Sequence, residues 1–519
     1  MAEVAVDDRK LLKTMRWWDG FVVGLACPGF LLAGLAGSVD NLGPKWAAII
    51  WFGSAIVGAL QAYIYAEPAA MFPDKAGGLS MYAKEGWKRH FSLAGPIATF
   101  GYWFAWSSVL AIYGTIIGVL FLSRFDASRL PDLAKDLNVW HLGPIDVTWP
   151  RAIGLLCVLA CYFFNVRGMR PAVWFSYVTG ALLVIPLLAL AIIPFLNGDI
   201  TSHALGYSNI NASLGVYGSG HGTLQVLAFA TVWFWVIGWS TYGPEAPATF
   251  APEFVDTKED TRKAIISTGV LNAILSLVLP LTIVGVLGGG FIAQDFSYIA
   301  FLTTALDQTL GSFLGGVAVI GVCAGLLLSM NTATMDGSRA LYGMAKDGLT
   351  LPWLAKLNSH HVPNRAMTVD MLMNVGLLFC FPSIFFVLVA GNIGYFIAHI
   401  LALSGFLLLR RDRPAWPRPL RLGPIWIVIA VACMVINLVA VVVGTSYMEW
   451  TGYLYDPAGH TDGYFNRALL VALAVLVIAV AGYVVGQNKA GHGFRWRDRD
   501  EELPTDEAYE LAGLQVPVR

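Results

Sequence analysis

The chain has 519 residues, of which 57% are hydrophobic and only 13% charged, about half the charged share of an ordinary soluble protein. Its formal net charge of −1 leaves no electrostatic footprint for a nucleic-acid partner. A mean hydropathy of +0.64 and repeated apolar stretches of about 20 residues point to one polytopic, all-α membrane body rather than several soluble domains.

In chain order, residues 1–16 are expected to form a cytoplasmic N-terminal segment, 17–487 the transmembrane domain and 488–519 a charged cytoplasmic tail without a core of its own. Charge at the N-terminus runs directly into the first apolar stretch with no cleavage site, so that stretch is expected to insert the chain. Twelve spans are predicted at 17–38, 45–72, 93–122, 149–168, 171–196, 223–252, 264–288, 312–345, 366–387, 391–410, 424–445 and 466–486. Only Arg167-Gly168-Met169-Arg170-Pro171 separates the fourth from the fifth. Gly78 to His90 reads as a short amphipathic helix lying along the inner surface.

Charge decides the orientation. With both termini cytoplasmic, 27 of the 33 Lys and Arg residues fall inside, leaving Lys45, Arg124, Arg129, Lys135, Arg151 and Arg467 outside. The reverse topology inverts the positive-inside rule. A cell membrane, the bacterial inner membrane, is the expected location. Cys27, Cys157, Cys161, Cys323, Cys380 and Cys433 all fall in apolar segments, which suits packing rather than disulfides or a metal.

Two spans carry breaks at equivalent places: span 1 at Cys27-Pro28-Gly29 and span 6 at Gly243-Pro244. In a bilayer no water satisfies the backbone groups that such a break frees, so it persists only against protein, a cavity or a ligand. Paired breaks mark the substrate site of a secondary transporter. Amino ends of half-helices attract anionic groups, and carboxyl ends attract cations. A zwitterionic amino acid presents both charges on one carbon and matches two facing breaks. Sodium or a polyamine would use the same carbonyls.

Beside the second break, Trp239, Ser240, Thr241 and Tyr242 are expected to line the pocket with Gly243, the indole acting as a lid or cation–π surface. Glu245 lies two residues beyond it, near the bilayer midplane. A charge there costs roughly 2.5–3.5 kcal/mol, so it is a functional candidate for carrying a proton; the structural alternative is a cap on the freed N–H groups of the second half-helix. Glu67, Asp336 and Arg339 lie nearer the inner ends of their spans and are expected to form ion pairs, Arg339 at the inner gate. Tyr102, Trp103, Trp106, Asn392 and Tyr395 are further cavity candidates, and His399 reads as a core histidine. The deep positions hold acids but no base beyond Arg339, which disfavours an anionic substrate.

Several stretches resemble the amino acid–polyamine–organocation superfamily. Ser338-Arg339-Ala340-Leu341-Tyr342-Gly343-Met344-Ala345-Lys346-Asp347-Gly348, then Leu351-Pro352 and Pro363-Asn364-Arg365-Ala366, is similar to its S-R-x-x-Y-A-M-A-R-D-G-x-x-P pattern and the x-P-x-x-A that follows. Glu67 to Pro73 with Gly77-Gly78 and Tyr82-Ala83 resembles E-L-x-x-x-F-P-x-x-G-G-x-Y-x-Y, and Trp239 to Glu245 is similar to the W-S-F-x-G-x-E run of arginine/agmatine antiporters. The resemblance covers about residues 14–425. It implies a five-plus-five inverted repeat, with spans 1 and 6 discontinuous and two helices appended. It also implies a permease for amino acids or related amines, proton-coupled or exchanging, with no cofactor. Three departures stand out. Cys27-Pro28-Gly29 replaces the usual G-S-G, Leu183 or Val184 stands where proton-coupled members often carry a lysine, and Ala333 replaces a pocket Trp.

The expected partners are an amino acid or amine and the lipid bilayer, with a homodimer left open. Sodium coupling through carbonyls near Gly29 and hydroxyls such as Ser338, an organic-cation carrier, and a non-transporting receptor on the same fold remain alternatives. An enzyme is disfavoured by the absence of H-E-x-x-H and G-x-S-x-G, and a channel by the absence of a filter motif.

Overall fold

The computed structural model describes residues 10–517 apart from 130–139, 143–144, 199, 201–205, 207, 209, 217–219, 221, 288–299, 381–383, 452–463, 490, 492 and 500–502. Among the described residues, 10 helices are long and apolar enough to cross a membrane. A first span in two pieces and a ninth of 17 residues complete the expected set.

Span 1 comprises Trp17–Gly24 and Cys27–Leu42, span 2 is Pro44–Met71, and span 3 runs through Ala94–Ser107 and Val109–Phe125. Spans 4 and 5 are Trp149–Val166 and Met169–Asn197. Gly168 between them has φ +119°, a conformation open to glycine but strained for other residues, so the chain turns back within two residues. Span 6 is Thr223–Thr241 followed by Gly243–Glu253, and span 7 is Thr257–Leu287. Span 7 starts earlier than its hydropathy suggests because Asp256 Oδ1 accepts from Lys258 N and Glu259 N at 3.1 and 2.9 Å, capping the first turn. Spans 8 to 12 are Ser312–Lys346, Asn364–Cys380, Ile384–Asp412, Ile425–Ser446 and Tyr464–Lys489. Span 10 also starts earlier than predicted. Span 9 ends at Cys380 and span 10 begins at Ile384, ahead of the predicted boundary between 387 and 391. A two-stranded antiparallel hairpin, Trp140–Leu142 with Ile145–Val147, sits between spans 3 and 4.

The packing has an internal symmetry. Span 2 lies along span 7, span 3 along span 10, and span 5 along span 8. Exchanging spans 1–5 with 6–10 turns the 3/10 contact into 8/5 and keeps 2/7, as an inverted repeat requires. Small residues permit the close crossings: a Cβ on Gly101 would lie 2.6 Å from the Gly394 carbonyl oxygen. Large apolar side chains such as Leu156, Phe163, Trp174, Ile185 and Val428 remain exposed on the outer surface, where only lipid would meet them at no cost.

Two expectations change. The helix after span 2, Gly78–Trp87, is buried rather than lying on the surface: Gly78 to Gly86 are all buried, packed mainly on span 10. The tail docks on the rest of the chain. Trp496 O accepts from Ser92 N at 2.9 Å, Asp498 N donates to Lys88 O at 2.7 Å, and Glu507 pairs with Lys13. Both ends of the chain therefore meet one face, the one that carries Lys75, Lys84, Lys88 and Arg413.

Candidate functional site

The first break lies slightly ahead of its expected place. The helix stops at Gly24, Leu25 and Ala26 form a turn, and a new helix starts at Cys27. Pro28 sits in the first turn of that helix, where a missing N–H has no helical partner to lose. Cys27-Pro28-Gly29 thus opens the second half-helix rather than forming the gap; the side-chain surroundings of Pro28 and Gly29 lie outside the described residues. The carbonyls near the gap are met by hydroxyls. Thr332 donates to Val23 O at 2.9 Å, Ser329 to Ala26 O at 2.8 Å and Ser240 to Cys27 O at 3.1 Å. Ser338 is not among them, since it donates within its own helix to Met335 O.

The second break matches its predicted position. The α-helix ends at Thr241, and Gly243–Glu253 continues as a 3₁₀ helix. Pro244, Pro247 and Pro252 each lack the N–H of an α-helical turn, which favours the tighter winding. Gly243 has no room for a side chain: a Cβ there would lie 2.6 Å from Cys27 Sγ. The two breaks are in contact.

Between them and span 3 lies a narrow cavity of about 20 Å³, room for about one water molecule, lined by Ala26, Cys27, Ser240, Ser329 and four aromatic residues. Those four are Trp106, Tyr113, Trp239 and Tyr395. The Trp239 indole donates to Ala105 O at 3.3 Å and meets Tyr113 edge to face at 5.9 Å. Thr241 and Tyr242 do not line it. Thr241 Oγ1 lies 2.6 Å from Ser54 Oγ on span 2, and the Tyr242 hydroxyl donates to Asn437 Oδ1 on span 11 at 2.8 Å. One helical turn sends Trp239 and Ser240 inward and turns their two successors outward.

Glu245 is fully buried at the edge of this cavity. Its Oε1 accepts from the Tyr395 hydroxyl at 2.6 Å and the Trp106 indole at 3.1 Å, while Oε2 has no hydrogen-bond partner among the described residues. Both side-chain bonds come from spans 3 and 10, and the carboxyl also lies near its own backbone N–H. Asn392 instead supports packing through Trp235 O at 2.6 Å, and Trp103 donates to Asp370 Oδ1 at 2.9 Å. His399 shares a 2.9 Å hydrogen bond with the Tyr65 hydroxyl through Nδ1. In span 5, Leu183 is buried against Gly325 of span 8, while Val184 is partly exposed. The position of the expected lysine is therefore apolar. Ala333 is buried.

The three candidate ion-pair residues separate into different roles. Glu67 receives Arg410 Nε at 3.1 Å, Arg418 Nη1 at 2.9 Å and the Leu422 N–H at 2.9 Å. Arg339 forms a two-point pair with Glu253 at the end of the 3₁₀ segment, donates to Met335 O at 2.9 Å and lies over the Phe250 ring. Glu253 O in turn accepts from Thr14 N and Met15 N, each at 2.9 Å, which ties the N-terminal segment across this end. Asp336 forms no ion pair among the described residues: both of its carboxylate oxygens are buried without a well-aligned hydrogen bond, and Arg339 is engaged by Glu253.

Ser329, Thr332 and Tyr113 escaped the sequence reading. The signal for the first two was a pair of hydroxyls three residues apart on one face of an apolar span; nothing in the sequence singled out Tyr113. The chain matches a family described as amino acid permease over residues 20–487. No curated protein matches it at a significant level.

Proposed function

The chain belongs to the amino acid permease family, and from that premise we propose that it carries a zwitterionic amino acid or a related amine by alternating access, with Glu245 as the proton-linked group. Transport, rather than catalysis, is the activity that this membership supports. The observation that carries the finer reading is the cavity itself. Among the described residues it holds four aromatic faces and, at its edge, a buried carboxylate with one oxygen unpartnered, and no Lys, Arg or His lines it. Aromatic faces and an acid attract a cationic group, while the first N–H groups of the half-helix that begins at Cys27 offer the positive end of a helix dipole to a carboxylate.

The Arg339–Glu253 pair and the crossing of Thr14 and Met15 act as the inner gate, on the face that we assign to the cytoplasm from the distribution of Lys and Arg. Glu245→Gln mimics the protonated acid. It is expected to retain substrate binding, to flatten the pH dependence of uptake into proteoliposomes, and to remove acceleration by a proton gradient. An unaltered pH profile in that variant would remove Glu245 from coupling. A sodium-linked carrier is the second reading, favoured by the Ser329 and Thr332 hydroxyls that meet the Ala26 and Val23 carbonyls; strict dependence of uptake on sodium would select it.

A further inference from the structure

Asp336 and its neighbours form a second polar site that the cavity does not include. Asp336 is fully buried in span 8, and the hydroxyls of Tyr102 on span 3 and Thr249 on the 3₁₀ segment lie beside it. The two hydroxyls lie near enough to interact with the Asp336 carboxyl, yet among the described residues neither Asp336 oxygen, the Tyr102 hydroxyl nor Thr249 Oγ1 completes a well-aligned hydrogen bond. Other charged or titratable groups facing Asp336 are Arg339 on its own helix, Glu245 on the 3₁₀ segment and Asp370 on span 9. Arg339 is neutralised by Glu253. Three buried acids thus converge, and among the described residues no unpaired base faces them.

Leaving a carboxylate ionised at such a place is costly. The two neighbouring hydroxyls supply no compensating charge, and either can accept from a protonated carboxyl. We propose that Asp336, with Tyr102 and Thr249, is a second proton-binding site between the cavity and the inner gate. Its direction of traffic rests on the proton-coupled reading of Glu245; its protonation does not.

The location follows from the chain. Thr249 lies midway along the segment between Glu245 at the cavity and Glu253 at the gate. Tyr395 lies between the two acids: its hydroxyl donates to Glu245 Oε1 at 2.6 Å, and its ring lies 6.0 Å from that of Tyr102. A proton passed from Glu245 to an ionised Asp336 requires both tyrosine hydroxyls to turn from this arrangement. Glu245 then ends as a carboxylate and Asp336 as a carboxylic acid, with charge conserved. The consequence is a switch. Asp336 and Arg339 are three apart on one helix and share a face. When Asp336 loses its proton to the inner side, its charge competes with Glu253 for Arg339 and loosens the gate.

The test is infrared difference spectroscopy of the full-length protein in liposomes, titrated in pH, with no substrate required. The wild type is expected to show protonated-carboxyl bands, of which Glu245→Gln removes one and Asp336→Asn removes another. Tyr102→Phe, which preserves shape, is expected to shift the Asp336 band and keep the protein monodisperse. If Asp336→Asn leaves every protonated-carboxyl band in place and loses only carboxylate absorption, Asp336 is ionised and the proposal fails. It fails equally if replacing choline by sodium erases the Asp336 band, since the site then takes a metal cation. An unaltered pH profile of transport in Glu245→Gln with the Asp336 band intact would overturn the coupling reading alone.

Discussion

Glu253→Gln isolates the charge of the inner gate from its shape. In the closed arrangement Arg339 and Glu253 are both buried, with the guanidinium also held by Met335 O. Removing one partner of a buried pair costs about 3–5 kcal/mol, because the remaining charge is left uncompensated. An open gate admits water to Arg339, so most of that cost falls on the closed state. At 1.4 kcal/mol per factor of ten, the ratio of open to closed gates is expected to rise roughly 10²- to 10³-fold. The molecule contains its own reporter: Cys27 lines the cavity behind the gate. With Cys157, Cys161, Cys323, Cys380 and Cys433 replaced by Ala, the rate at which an impermeant maleimide applied from the gate side labels Cys27 measures the open fraction. The rate should climb until the gate is mostly open and then level off. Replacing both partners, Glu253→Gln with Arg339→Met, is expected to return much of the closed population, since no unpaired charge remains. A well-folded Glu253→Gln protein whose Cys27 labels no faster than the wild type would refute the assignment of this pair as the gate.

Trp239→Ala is expected to weaken binding of a confirmed substrate roughly 2- to 30-fold, the range of about 0.5–2 kcal/mol for a cation–π face, and unchanged affinity by calorimetry would move the site elsewhere. Glu85, outside the spans, meets Lys75, Lys88 and Arg413 at 2.7, 3.2 and 3.0 Å. Burial pushes its carboxyl up, but the charges of Lys84, Lys75, Lys88 and Arg413 outweigh burial and hold it well below the usual 4.5. A depressed folded value stabilises the protein above 4.5 and loses that stabilisation as pH falls toward the folded value. Glu85→Gln should therefore lower Tm most near neutral pH, and the gap to wild type should narrow below pH 4.5; a gap that widens in acid contradicts the sign. Cysteines placed at 135 or 300 in a cysteine-free background should react with an impermeant reagent on intact cells, and labelling only after permeabilisation would reverse the orientation.

The spans were legible because hydropathy responds to the bilayer itself, and the breaks because Pro and Gly act on the local backbone. The sequence left open which side of each break a residue faces. Trp239 and Tyr242 are three apart and were expected to share a wall, yet the α-helix ends between them and Tyr242 turns to Asn437. The same limit applies to pairs made at a distance in sequence. Arg339 was readable as an ion-pair residue, but its partner Glu253 is 86 residues away, and only the 3₁₀ winding aims that carboxylate at it. Leu183 shows the converse: a missing lysine was visible in sequence, whereas the glycine that receives the leucine, Gly325, was not.

The 3₁₀ segment joins the two halves of the proposed mechanism. It carries Glu245 at the cavity end and Glu253 at the gate end. At about 2.0 Å per residue the two acids lie roughly 16 Å apart along it. Three prolines fix φ along this short rod, and Gly78 holds its middle so closely that a Cβ there would lie 3.2 Å from Thr249 N. A displacement at the Glu245 end is therefore transmitted to the other end rather than absorbed. Pro247→Ala restores backbone freedom midway without touching either acid. In the single-cysteine background, Glu245→Gln is expected to change Cys27 labelling from the gate side, and Pro247→Ala to shrink that response while leaving the basal rate near its wild-type value. An equal response to Glu245→Gln with Pro or Ala at 247 would show that the acids communicate by another route, with the Tyr395, Tyr102 and Asp336 series as the remaining connection.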